Sequence, residues 1–396
     1  MQSSTSASSS PNRLATLLAF MLGHFGHHLC TAATVPLLPM IRDTFGLDYL
    51  LSGLLLSAFS LTYGFAQLPM AAISDRLGKR LVVSVGLVGT GAACIGMGLS
   101  STYAQLMACL ILMGIAGSTY HAPASAFLSQ TFGKEARGRS LGIHIIGGSA
   151  GLMAAPVAAI LVAGATGSWR NSLVVLGIPV LVAGLLVWTL AGAQERANLK
   201  ETARENAEPL KWVELLRLLG LLVMIAMITQ LLVSSINSFL PLFLVDRHGA
   251  PQDVAGLVMA IVFGAGLAGA PLGGAISDRL GRKPVILLSV ASLGPLIVLL
   301  TVLPLGLAMT AVICAYGVVI ACRLPAIESL IADLVPARRR ATVLGGYYFL
   351  AQETTGVATP VLGWMMDQYG VANGFTIVAG IAITCSLLVL MLWRRI

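Results

Sequence analysis

The chain has 396 residues, of which 57% are hydrophobic and only 10% charged, with a formal net charge of +8. A soluble domain is about one quarter charged, so this balance excludes a soluble globular protein and points to a chain that crosses a lipid bilayer many times. The six cysteines (Cys30, Cys94, Cys109, Cys314, Cys322, Cys385) lie scattered in apolar runs without paired spacing, which argues against a disulfide framework or a structural zinc.

In chain order, MQSSTSASSSPN opens a polar tail, expected to be disordered over residues 1–13. It lacks the charged start and small-residue cleavage site of a signal peptide, so the apolar run after Arg13 reads as an uncleaved first helix. A spanning helix needs about 20 mostly apolar residues. That length predicts twelve spans, at 14–41, 47–73, 81–100, 103–131, 140–165, 171–193, 214–245, 253–276, 284–304, 306–334, 341–366 and 371–393. The result is an all-α membrane protein with six helices in 14–193, a charged linker at 194–213, and six more in 214–396.

The cations sort onto one side of this pattern. Arg76, Lys79, Arg80, Lys134, Arg137, Arg139, Arg279, Arg282, Lys283, Arg338, Arg339, Arg340, the linker and the terminal clusters fall on one face, whereas Arg42, Arg170 and Arg247 fall on the other. The positive-inside rule makes the first face cytoplasmic, with both termini there. The excess positive charge is a topology signal, and nucleic acid is not expected as a partner.

The chain also repeats. ISDRLGKRLVV from Ile73 recurs as ISDRLGRKPVI from Ile276, an offset of 203, and VPLLPMIRDTFG at 35–46 is echoed by LPLFLVDRHG at 240–249. Internal duplication of this kind builds many secondary transporters, with the substrate near the midplane where the halves meet. In the repeated loops, Asp75, Arg76, Gly78, Lys79 and Arg80, then Asp278, Arg279, Gly281, Arg282 and Lys283, resemble the signature loop of the major facilitator superfamily. The resemblance covers essentially the whole chain. It implies two pseudo-symmetric six-helix bundles, alternating access, and a cavity lined by spans 1, 4, 7 and 10. It also implies that Asp75 meets the amino terminus of span 11 across the seam while the cytoplasmic side is closed, a contact favoured by the unsatisfied N–H groups there.

Gly142, Gly151 and Pro156 on span 5 have the spacing that marks proton-coupled exporters of that superfamily, although Ala155 and Ala159 stand where glycines are expected; His144 lies in the same stretch. The segments GHFGHHLCTAATVPLLP and YHAPASAFLSQTFGKEARGRSLGIHIIGGSAG further resemble fosmidomycin-resistance-type exporters.

Polar groups at membrane depth supply the candidate site. Aligning the halves places Tyr120-His121-Ala122-Pro123 on Cys322-Arg323-Leu324-Pro325. Counting from the helix end, His121 lies roughly 15 Å deep at 1.5 Å per residue, near the middle of a ~30 Å core. Proline loosens the backbone by removing one helix bond, and freed carbonyls are tolerated where they face protein or a wet cavity. A charge at mid-bilayer costs about 2.5–3.5 kcal/mol even on a lenient scale. Arg323 therefore reads either as a substrate ligand or as half of a structural ion pair, with Glu353 the expected partner. Glu328 lies roughly 140° around the helix from Arg323 and faces something else.

Gln230 and Asn237 add hydrogen-bonding capacity on span 7. His24 is a substrate or proton candidate, as is His121. His27 and His28 read as structural histidines bonded to a neighbouring helix. His24 and His28 share a helix face at the spacing of a metal-binding pair, but no carboxylate or cysteine flanks them on that face, so no metal site is expected. No cofactor is expected either. No nucleophile with its base suggests an enzyme, no loop is long enough for a sensor domain, and no nucleotide-binding loop suggests ATP coupling.

The sequence thus describes a multi-pass protein of the bacterial inner membrane, functional as a monomer, whose partners are a small-molecule substrate, protons and the bilayer. The expected activity is proton-coupled secondary transport by alternating access, exporting a drug or a small amphiphilic, anionic metabolite. The alternative is proton-coupled uptake of an organic anion.

Overall fold

A computed structural model describes residues 10–132, 136–195, 212–335 and 340–393. Its helices are α1 (Ser10–Thr31), α2 (Thr34–Phe45), α3 (Tyr49–Leu77), α4 (Lys79–Leu99), α5 (Tyr103–Gly117), α6 (His121–Thr131), α7 (Arg137–Thr166) and α8 (Trp169–Leu190) in the first half. The second half holds α9 (Trp212–His248), α10 (Gln252–Leu280), α11 (Arg282–Val302), α12 (Leu307–Leu334), α13 (Arg340–Tyr369) and α14 (Val371–Trp393). Because α1 continues into α2 and α5 into α6, these fourteen helices form twelve rods, in register with the predicted spans. Among the described residues, ten helices are long and apolar enough to cross a membrane. The other two rods are α1–α2, broken near its middle, and α13, which carries Gln352-Glu353-Thr354-Thr355 at mid-length.

The helix ends follow from local chemistry. Asp48 accepts from Leu51 N at 2.7 Å to start α3, Thr102 and Gln105 close a capping box at α5, and Ser168 caps α8. The breaks also have a cause. Pro36 and Pro123 are each the third residue of their helix, α2 and α6, where a missing N–H costs nothing but the preceding turn cannot continue. In the second half, α9 and α12 run unbroken through Pro241 and Pro325. The helix begins at Ser10, so residues 10–13 of the predicted tail are already helical; most of the predicted linker lies outside the described residues.

The internal repeat is visible in the backbone. Gly46, Gly78 and Gly167 have φ of 61°, 97° and 69°, and the residues 203 positions later, Gly249, Gly281 and Gly370, have φ of 64°, 90° and 83°. Gly78 and Gly281 each form the single-residue joint between two long helices, a left-handed corner that a side chain would strain.

One buried cluster fills the first half around Phe20, Leu37, Leu55, Leu87 and Phe127, and two more lie mainly in the second half, around Phe243, Tyr316 and Phe375 and around Ile286 and Ile327. Large apolar side chains such as Phe65, Leu161, Leu185, Val302 and Leu307 stand exposed on the outside, as lipid contact requires. The halves meet along two antiparallel seams, α3 against α13 and α7 against α10. With no hydrophobic drive between helices in lipid, such seams depend on close packing of small residues. A Cβ at Gly53 would lie 2.9 Å from Pro360 Cα, and one at Gly363 would overlap the Tyr49 carbonyl, so both seam helices need glycine for their backbones to approach.

Candidate functional site

The two seams enclose a cavity of about 720 Å³ lined by both halves. Its first-half wall is a histidine cluster. Five of the six histidines of the chain are gathered there: His24, His27 and His28 from α1, His121 at the start of α6, and His144 from α7. The His24 ring centroid lies 5.0 Å from that of His28, 5.0 Å from His121 and 4.2 Å from His144, on which it stacks. His27 lies 5.0 Å from His121 and stacks on Tyr120 at 5.3 Å. The fold brings these rings together through the α5–α6 break, which leaves His121 as the first helical residue after Tyr120. It also uses glycines on α7: a Cβ on Gly148 would lie 2.5 Å from the His24 ring, and one on Gly151 would overlap the Phe25 carbonyl.

Of the span-5 motif, Gly151 thus packs α7 onto α1, whereas Gly142 faces open space. Pro156 lies within an unbroken α7, and Ala155 and Ala159 are fully buried without a glycine. His27 and His28, expected to be structural, line the cavity with the others.

Polar groups of α9 and α13 face the same space, whereas Asn237, Arg323, Glu328 and Glu353, expected in the cavity, are not among the residues that line it. Gln230 lines the cavity, accepts from Arg323 Nη2 at 3.3 Å, and donates to Thr355 Oγ1 at 3.3 Å. Arg323 is 4% exposed, with Tyr347 beside it, and its Nε and Nη1 have no hydrogen-bond partner among the described residues. The expected Arg323–Glu353 ion pair is absent from this conformation. Glu353 Oε1 is buried against Gly64 of α3 without a partner among the described residues, because the turn from α12 to α13 fixes depth but not the direction in which each side chain leaves its helix. Glu328 accepts from Tyr348 Oη. Asn237 accepts from Tyr316 Oη at 3.0 Å, tying α9 to α12.

The two ends of the molecule differ. At the face carrying Arg42 the halves are joined: Arg42 pairs with Asp246, Tyr49 Oη donates to the same carboxylate, and Gln252 donates to Asp43 at 2.5 Å. Asp367, at the end of α13, accepts from Tyr49 N at 2.9 Å and Leu50 N at 2.8 Å, capping α3 across the seam. At the basic face the ion pairs among described residues stay within one half. Asp75 is 71% exposed and takes Lys79 at 2.8 Å, Asp278 takes Arg282, and Arg282 reaches Asp333 at 3.4 Å. Arg80 packs over the Trp188 ring and pairs with Glu195 at 3.6 Å. Arg76 and Arg279 are exposed. Sequence reasoning missed Asp246, Asp367 and Tyr49 as seam residues, and Tyr347 and Tyr348 as cavity residues.

Paired six-helix halves around a central cavity, joined at one face and separately tied at the other, define a secondary transporter. The chain belongs to the Major Facilitator Superfamily, whose profile it matches over residues 20–251 and 222–396. It is 23% identical to the fosmidomycin resistance protein of Escherichia coli over 367 residues, covering 91% of this chain and 88% of that one. It is 24% identical to the hexuronate transporter of Bacillus subtilis over 414 residues, covering 98% and 96%. A solved bacterial homologue of the human lysosomal transporter Spinster, inward-facing and occupied, superposes with a TM-score of 0.81 at 17% identity, covering 98% of both chains, which shows the shared fold. The family is one of transporters rather than enzymes, and the chain is a multi-pass membrane protein.

Proposed function

We propose that the protein is a proton-coupled exporter of a small amphiphilic anion or drug, working by alternating access in the bacterial inner membrane with its basic face in the cytoplasm. The observation that carries this reading is a cavity with apolar walls and uncharged hydrogen-bonding side chains, one of which, Gln230, accepts from a buried arginine beside the cavity whose Nε and Nη1 have no partner among the described residues. Arg323 would hold an anionic group, with Gln230 orienting the guanidinium, while Leu56, Phe59 and Phe263 line a surface suited to an apolar body. Coupling is assigned to the carboxyls of Glu328 and Glu353 on α12 and α13, of which the first holds Tyr348 and the second has a buried oxygen without a partner among the described residues, so that both can change partners as the halves rock. The likeness to the fosmidomycin resistance protein supports export of a drug-like molecule.

The basic face is assigned to the cytoplasm by the positive-inside rule. The conformation described here, joined at the Arg42 face, is then the one open to the cytoplasm, ready to load cargo for export. Uptake of an organic anion is the second reading, and the likeness to the hexuronate transporter favours it. Proteoliposomes loaded with candidate anions under a pH gradient of either sign separate the two. Cargo moving opposite to the proton supports export by antiport, cargo moving with the proton supports uptake, and movement indifferent to the gradient defeats proton coupling.

A further inference from the structure

From the convergence of His24, His28 and His121 we infer that the first-half wall of the cavity is a binding site for one divalent transition-metal ion. One nitrogen from each of these three rings lies within 4.8 Å of the others. The separation needed between imidazole nitrogens on one tetrahedral ion, with metal–nitrogen bonds of about 2.0–2.1 Å, is shorter, and modest ring rotation closes the gap.

The second observation concerns which nitrogen is available. His24 Nδ1 lies 2.9 Å from the His144 carbonyl oxygen, and a carbonyl only accepts, so the proton sits on Nδ1. Nε2 is left with its lone pair, and it is buried, in a side chain only 7% exposed, with no hydrogen-bond partner among the described residues. A histidine with one ring nitrogen fixed by a backbone carbonyl and the other left with its lone pair is the usual arrangement of a metal ligand. A desolvated acceptor left without a partner is otherwise an unexplained cost. Among the described residues no hydrogen bond joins one ring of the cluster to another, so the rings do not satisfy each other.

The donor set selects the ion. Three neutral imidazoles suit zinc, cobalt, nickel or copper, whereas magnesium and calcium require oxygen ligands. No aspartate or glutamate lines this cavity. A three-histidine site keeps a coordination position open for water or an oxyanion, and all three rings line the cavity. The sequence set metal aside because no carboxylate or cysteine flanks the His24–His28 pair on its face; the third donor is instead a histidine at the start of α6, brought there by the α5–α6 break. The site does not depend on the direction or the coupling of transport.

The test uses the full chain, with any affinity tag removed, in lipid nanodiscs. Zinc is titrated against a chromophoric chelator, and cobalt is followed by its visible absorption. The expected result is one ion per chain, undisturbed by excess magnesium. Replacing His24, His28 or His121 by glutamine should weaken binding by about tenfold or more, since even outer-shell changes cost that much. His248→Gln, remote from the cluster, should bind as the parent does. His121→Cys retains a ligand, so it should still bind and add a thiolate-to-cobalt charge-transfer band, which separates loss of a ligand from loss of the fold. Substoichiometric binding, parental affinity in His121→Gln, or an equal loss in His248→Gln would overturn the site.

Discussion

Arg42 and Asp246 are 204 residues apart in the chain, yet Arg42 Nη2 donates to Asp246 Oδ1 at 2.9 Å and so ties α2 of one half to α9 of the other. The contact is confined to the face at which the halves are joined, so in the proposed alternating-access cycle it stabilises the state closed on this face and not the other. A ligand or contact shifts such an equilibrium only by its differential stabilisation of the two states. Partly exposed ion pairs contribute about 0.2–1 kcal/mol, so Asp246→Asn should move the balance toward opening on this face by up to about fivefold. Spin-label distances between α2 and α9 would report the shift. An unchanged distance distribution in Asp246→Asn would remove the pair from the gate, and the swap Arg42→Asp with Asp246→Arg should restore the parental distribution.

Asp367 supports the same closure by different chemistry. Its carboxylate takes two of the amide protons that the first turn of α3 leaves without a partner. Removing such a cap costs typically about 1 kcal/mol, with a further contribution from the helix dipole. Asp367→Asn keeps one acceptor, so it should open this face less than Asp367→Ala. Equal behaviour of the two variants in the same distance measurement would show that the capping bond is immaterial.

How much of this was legible in the sequence depends on whether the information lies along a helix or between helices. The twelve rods follow from apolar runs, and the repeat from the paired Asp-Arg-x-Gly loops, so both are carried by contiguous residues. The chain breaks at Ser118–Tyr120, not at Pro123 itself, because the proline ring disrupts the turn before it. The counterpart at Pro325 does not break, which spacing alone could not reveal.

The histidine cluster was beyond reach for a related reason. His24, His121 and His144 belong to three helices, and the sequence gives their depths but not the directions of their side chains. Depth likewise suggested that Arg323 would meet Glu353, whereas the guanidinium reaches Gln230 on α9. Asp367 could have been found. α3 and α13 run antiparallel, so an acid at the end of α13 is the counterpart, on the opposite face, of Asp75 at the end of α3.

The α3–α13 seam makes a steric prediction. A Cβ on Gly363 would overlap the carbonyl of Tyr49, next to the amides that Asp367 caps. Gly363→Ala must push the helices apart there, and overpacking of this kind costs about 1–3 kcal/mol. Opening at the Arg42 face should therefore increase, while Gly142→Ala, at a position where a Cβ meets nothing, should be silent. If both alanines behaved like the parent in spin-label distances, the seam would be looser than this packing implies.

Arg323 and Asp75 separate binding from gating. Arg323 is buried against Gln230 beside the cavity, with donors unused, whereas Asp75 is exposed at the basic face and holds only Lys79 in this conformation. Arg323→Ala should weaken anion binding sharply or abolish coupling while the fold and membrane insertion persist, because an arginine this deep is a cost that folding does not need. Asp75→Asn should leave affinity nearly intact and slow turnover. In this conformation it removes only the exposed pair with Lys79, but it weakens the opposite state, in which the end of α3 can meet the start of α13. A helix-end contact of that kind contributes about 0.3–1 kcal/mol when exposed and up to ~2 when partly buried, a several-fold change in the balance of states. Binding and transport measured on both purified variants decide the assignment. Loss of affinity in Asp75→Asn as severe as that in Arg323→Ala, or normal proton-driven transport by Arg323→Ala, would mean that the gate and the site have been placed on the wrong residues.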